Sequence, residues 1–253
     1  MKTVAVFSVK GGTGRTTIAC NLAAELIHQG RRCTVVDADP QNALGLHLGM
    51  KVDERFGLSR DGLSSHDIAK YQRSLTKVSH VPFGQCSFEE LLELERQRVE
   101  NYAWLEERLP RLVPPGTEIV LLDLPAGVTG WTYHTLATAD LVLVVLQADA
   151  ASYATIPLTE EVLGRSGTRH VGYLLNMMDA RLPLSLDVRG AMGGVVAKYL
   201  LPFTIPRDEA LREAFAQQRP IQEHAPESQS AFAFGELSDW ALSALAAPPG
   251  GAR

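Results

Sequence analysis

T-V-A-V-F-S-V-K-G-G-T-G-R-T-T, residues 3–17, is the stretch on which the reading of the fold turns. Thr3 to Val9 is apolar and β-branched without strict alternation, which predicts a strand buried on both faces. The run stops at Lys10-Gly11-Gly12-Thr13-Gly14. Three glycines in four residues let the backbone curl and turn its N–H groups inward, which makes a nest for anions. Thr16 and Thr17 then open a helix, with Ile18, Leu22 and Leu26 at i, i+4 and i+8 and with Ala19 and Ala23 beside them. The helix N-terminus adds its partial positive charge at the same point. Strand, glycine loop and helix start in this order make a phosphate-binding loop, and the Thr16 hydroxyl is placed to ligate Mg²⁺.

Outward from this loop, polar residues stand where buried strands end. Cys33 to Val36 reads as a second strand, followed by Asp37-Ala38-Asp39-Pro40-Gln41. Ligands of doubly wound sheets gather outside the carboxyl ends of the strands, so two acids before a helix-breaking proline point to a site. A cap on the next helical segment is the alternative for Asp39. E-I-V-L-L-D-L-P at 118–125 is another buried strand ending in an acid, Asp123. Alone that is a weak signal. In register with a glycine loop and D-x-D-P, it sets a carboxylate across Mg²⁺ from the Thr16 hydroxyl. Asp140 to Gln147 and Val171 to Asn176 are the next strands, and Asn176 fits either a ligand contact or a turn cap. Leu201 to Asp208 leads into a helix over 209–217, and a last helix is expected over 230–245.

Between these landmarks, Ser87 and Glu90 form a capping box that opens a helix expected to run to about Leu109, its charges a solvated face. Residues 42–77 are the least informative, with a helical turn at 43–48 and a short helix at 67–75. Strands alternating with helices predict an α/β fold: a doubly wound, mostly parallel sheet of seven or eight strands with helices on both faces. The chain has 253 residues, 45% hydrophobic and 21% charged, which suits one domain over 1–247 with a flexible tail at 248–253.

Composition also weighs against several classes. The net charge of −5 and the absence of a Lys/Arg run disfavour a nucleic-acid or anionic-membrane surface. Cys20, Cys33 and Cys86 form no C-x-x-C pair, so neither zinc nor an iron–sulfur cluster is suggested. No signal peptide or membrane span is read, and a cytoplasmic protein is expected.

The loop K-G-G-T-G-R-T-T resembles the deviant Walker A element of the ParA/MinD family of P-loop ATPases, whose pattern is K-G-G-x-G-K-[ST]-T. D-A-D-P-Q at 37–41 resembles that family's first switch region, D-L-P at 123–125 its second, and I-P-R-D at 205–208 its sheet ending. The resemblance implies ATP and Mg²⁺ as ligands and a homodimer with ATP at its interface. Lys10 would then reach across to the partner's nucleotide, and residues 11–17 (Gly11, Gly12, Thr13, Gly14, Arg15, Thr16, Thr17) would hold phosphates. Asp37 and Asp123 would hold Mg²⁺-bound water with Thr16, and Asp39 would position the attacking water. Asn176, Pro206, Arg207 and Asp208 would lie at the adenine. Arg15 departs from the family by replacing the second lysine, which leaves nucleotide binding expected and the rate of hydrolysis open.

Among branches the chain most resembles the cellulose-biosynthesis (BcsQ) group, through the altered loop, V-P-F-G-Q at 81–85 followed by S-x-E-E, and the ending R-D-E-A-L-R-E-A-F-A-Q-Q-R-P-I. That implies a small accessory protein and inner-membrane cellulose synthase subunits as partners. It implies recruitment to the inner membrane through them, with no direct insertion and no sequence-specific nucleic acid. The competing readings are a ParA-like DNA or cargo partitioning ATPase, and an enzyme that spends ATP on reduction or metal transfer, against which the missing cysteine pair speaks.

Overall fold

The computed structural model describes residues 1–51, 53, 55–59, 78–101 and 103–247. The short helix expected at 67–75 and the tail at 248–253 lie outside the described residues. Among the described residues the strands are β1 (Lys2–Phe7), β2 (Cys33–Asp37), β3 (Ser79–Val81), β4 (Ile119–Asp123), β5 (Leu141–Gln147), β6 (Val171–Met178) and β7 (Leu200–Pro206). They form one seven-stranded sheet in the order β3-β2-β4-β1-β5-β6-β7, and every pairing is parallel. β1 is central, flanked by β4 and β5.

Side chains alternate across a strand, and β1 shows why the sheet is covered on both faces. Val4 and Val6 pack with Ile18, Leu22 and Leu26 of helix Arg15–His28 and with Phe234 and Leu237 of helix Gln229–Ala246. Ala5 and Phe7 pack on the other side with Trp104, Trp131, Leu163 and Tyr173. β5 is apolar at six successive positions because both of its faces are buried.

One expectation is corrected. The helix opened by Ser87 does not run to Leu109: it ends at Glu100, and a second helix spans Trp104–Leu112. Asn101 breaks it by adopting an extended backbone, with its side-chain oxygen accepting from the Ala103 N–H at 3.0 Å. The capping box at Ser87 and Glu90 is present. Nor are all the charges of that helix solvated. The Arg98 side chain is fully buried, with its guanidinium 4.1 Å from the Trp131 ring, 5.0 Å from Trp104 and 5.3 Å from Phe83. Cys20 and Cys33 are buried, and Cys86 is partly exposed. Among the described residues no helix is long and apolar enough to cross a membrane.

Candidate functional site at the strand ends

Strand register assembles the site. Asp37 of β2 lies beside Asp123 of β4, Gln147 of β5 beside Asn176 of β6, and Met178 of β6 beside Pro206 of β7. The glycine loop follows β1 in the middle of this row. Gly14 adopts a left-handed backbone and begins helix Arg15–His28 with no side-chain cap. The first turn of that helix is therefore left to find acceptors from outside the chain's side chains. The Thr13 carbonyl accepts from Asn176 Nδ2 at 2.8 Å, which ties the loop to β6.

The carboxylates divide into two kinds. Asp37 is fully buried and anchors the loop after β2: Oδ1 accepts from the Asp39 N–H and Oδ2 from the Leu44 N–H, each at 3.0 Å. Burial, with the neighbouring Asp123 charge, holds its carboxyl well above the usual range despite these two bonds. Asp123 is different. It is buried, and neither of its oxygens accepts a well-formed hydrogen bond among the described residues. Burial pushes its carboxyl up to about 7, while the nearby Thr16 hydroxyl and the Arg15 charge pull the other way. An orphaned buried carboxylate facing a hydroxyl fits a divalent cation with its waters. Among the described residues no cluster of three His, Cys, Asp or Glu could hold a metal alone. A cation bound there would thus draw ligands from Thr16, water and phosphate.

Asp39 caps its own turn, with Oδ1 accepting from the Gln41 N–H at 2.9 Å. Its Oδ2 lies 3.7 Å from Arg15 Nη2. Arg15, expected on phosphate, is buried with its guanidinium engaged elsewhere: Nε donates to the Leu124 carbonyl and Nη1 to the Lys10 carbonyl. Burial lowers its pKa, and Asp123 and Asp39 partly restore it.

The Lys10 ammonium is held within its own chain. It donates to Gln147 Oε1 at 2.8 Å and pairs with Asp149 Oδ2 at 2.6 Å. Burial alone would raise the Asp149 carboxyl, but hydrogen bonds from Lys10 and Ser152 outweigh it and hold the group below its usual range. Gln147 also donates from Nε2 to the Gly12 carbonyl and to Met177 Sδ. Gln147 and Asp149 were missed in the sequence, although Gln147 closes an apolar strand just as Asp123 does.

Beyond Gln147 and Asn176 a cleft of about 580 Å³ opens at the ends of β5, β6 and β7. Met177, Asp179 and the loop Pro206-Arg207-Asp208 help line it. The Arg207 N–H donates to the Met178 carbonyl, and Asp208 caps the next helix through the Ala210 N–H. The structure thus brings Lys10 to Thr17, Asp37, Asp39 and Asp123 together at the loop, with Asn176 joining it to the cleft walled by residues 206–208.

Comparison with known proteins agrees with this geometry. The family model described as "Cellulose biosynthesis protein BcsQ" matches residues 1–242. The chain is 29% identical to the cellulose biosynthesis protein BcsQ of Escherichia coli, covering 100% of both. It is 30% identical to the chromosome-partitioning ATPase Soj of Thermus thermophilus, covering 94% of each. The septum site-determining protein MinD of Pyrococcus horikoshii, solved with Mg-ADP, shares the fold with a TM-score of 0.68 at 22% identity over 95% of each chain. The glycine loop, the acids at the strand ends and a match spanning nearly the whole chain lead to one assignment: the chain belongs to the BcsQ family of ParA/MinD-like P-loop proteins.

Proposed function

We propose that this chain binds Mg²⁺-ATP at the glycine loop and acts as a nucleotide-switched dimer in a bacterial cellulose secretion system. The Asp123 carboxylate carries the reading. It is buried beside the Thr16 hydroxyl, with no well-formed hydrogen bond among the described residues, at the mouth of an uncapped helix N-terminus. Bound there, Mg²⁺ would offset phosphate charge, with Thr16 and Asp123 holding the ion and its water and Asp37 supporting that water. Gly11 to Gly14, Thr16 and Thr17 would surround the phosphates, and the cleft bounded by Asn176, Pro206, Arg207 and Asp208 has room for the nucleoside. Asp39 would orient the attacking water, and hydrolysis would be slow with Arg15 in place of lysine. The cellulose context follows the family, as do a small accessory protein and the inner-membrane synthase as partners. In this reading the chain works in the cytoplasm and reaches the membrane through them.

A fluorescent ATP analogue titrated with and without Mg²⁺ tests the first step; no Mg²⁺-dependent binding would end the proposal. For the dimer, Lys10 must leave Gln147 and Asp149. Lys10→Ala is expected to keep nucleotide binding and to lose ATP-dependent dimerisation in light scattering. A variant that still dimerises normally would remove the cross-interface role.

Partitioning of DNA is the second reading, favoured by the identity to Soj. Against it, the candidate phosphate contacts are scattered and engaged. Arg181 pairs with Asp179, Arg189 donates to the Pro202 carbonyl, and Lys198 lies over the Tyr199 ring. An ATP-dependent, salt-sensitive shift of DNA would favour it.

A further inference from the structure

Arg15 reaches three loops at the ends of the strands. Its Nε donates to the Leu124 carbonyl at 2.9 Å, in the loop directly after β4 and Asp123. Its Nη1 donates at 3.1 Å to the carbonyl of Lys10, which opens the phosphate loop. Its Nη2 lies 3.7 Å from Asp39 Oδ2, in the loop after β2. The residue is only 8% exposed, so these contacts are shielded from water and strengthened by the charge. A planar fork with separate donors can serve acceptors in three directions, whereas an ammonium is a single point on a flexible stem. To grip a phosphate in the nest, the fork would have to leave these acceptors.

We propose that Arg15 is a positioning residue and not a phosphate ligand. It ties the loops after β2 and β4 to the phosphate loop, and its pairing with Asp39 restrains that carboxylate and slows hydrolysis. Only the hydrolytic part rests on the nucleotide-switch reading above; the strut is a property of the chain without nucleotide.

The test begins with hydrogen exchange on the full, nucleotide-free chain. Arg15→Gln is expected to speed exchange roughly tenfold in residues 38–46 and 124–129 together, the scale of one charge-assisted contact. Asp39→Asn is expected to speed it in 38–46 alone. Helix Gln229–Ala246 should be unchanged in both. If Arg15→Gln loosens the whole chain, Arg15→Lys decides: faster exchange confined to the two loops supports the strut, and a uniform rise or no change overturns it.

Turnover is the second readout. Arg15→Lys should bind the fluorescent ATP analogue within about threefold of the parent and raise kcat roughly tenfold with KM little changed. The rate gain should vanish when Asp39 is also Asn. Nucleotide binding weakened more than about tenfold, with both loops as protected as in the parent, would make Arg15 a phosphate ligand and overturn the proposal. Unchanged kcat with unchanged binding would remove the restraint on Asp39. A parent chain that binds no nucleotide yet shows the two-loop exchange pattern would end the switch reading and leave the strut standing.

Discussion

At Gly14 the backbone has φ +89°, and a Cβ added there would stand 2.3 Å from Asn176 Nδ2. Alanine would pay for the left-handed backbone and push Asn176 off the Thr13 carbonyl. Gly14→Ala is expected to lower Tm by about 3–6 °C, from roughly 1–2 kcal/mol in a chain of this size, and to weaken nucleotide binding at least tenfold by titration. Asp123 gives a pH signature. Its carboxyl titrates near 7 in the fold against 3.8 in an open chain, so the fold holds the proton more tightly. Its contribution to stability is fully present below about 4 and is lost as pH rises towards about 7. Asp123→Asn, whose amide can donate to Asp37, is therefore expected to raise Tm of the nucleotide-free chain by about 3 °C at pH 8 and not at pH 4. A gain of equal size at both pH values would mean that charge is not the cause. The places of Asp37 and Asp123 at the ends of β2 and β4 were legible in sequence because an acid that closes an apolar strand has no packing role there. Asp149 was not, because its partner Lys10 lies 139 residues away and nothing local links them.

The helices Phe88–Glu100 and Trp104–Leu112 show where reading by pattern stops. Spacing indicated one helix with a charged, solvated side, but Asn101 breaks it and Arg98 turns inward among Phe83, Trp104 and Trp131. A sequence gives no sign of which arginine in a mixed run is caged by rings that come from three other segments. Burial lowers the Arg98 pKa to about 10, with Glu95 offsetting part of the effect. Much of its worth is then stem and ring contact more than charge. Arg98→Ala is expected to cost about 3 kcal/mol in urea denaturation, and Arg98→Met, which refills the cage, about half of that. Equal losses in both would assign the role to charge instead.

For the whole molecule, the doubly wound sheet was legible from strands alternating with helices, and the count of seven falls within what the pattern allowed. The strand order was not legible, since local sequence does not say which strand neighbours which. That order has a consequence for how the chain is made. The central strand's partners arrive late: Lys2 pairs with Ile119, and Val4 with Leu141. At about 5–20 residues per second, β1 waits roughly 6–25 s after leaving the ribosome before either neighbour exists. Throughout that interval a segment that is apolar from Val4 to Phe7 has both edges open. The chain thus completes its core only after most of it has been synthesised, and its yield in cells depends on what shelters that first strand.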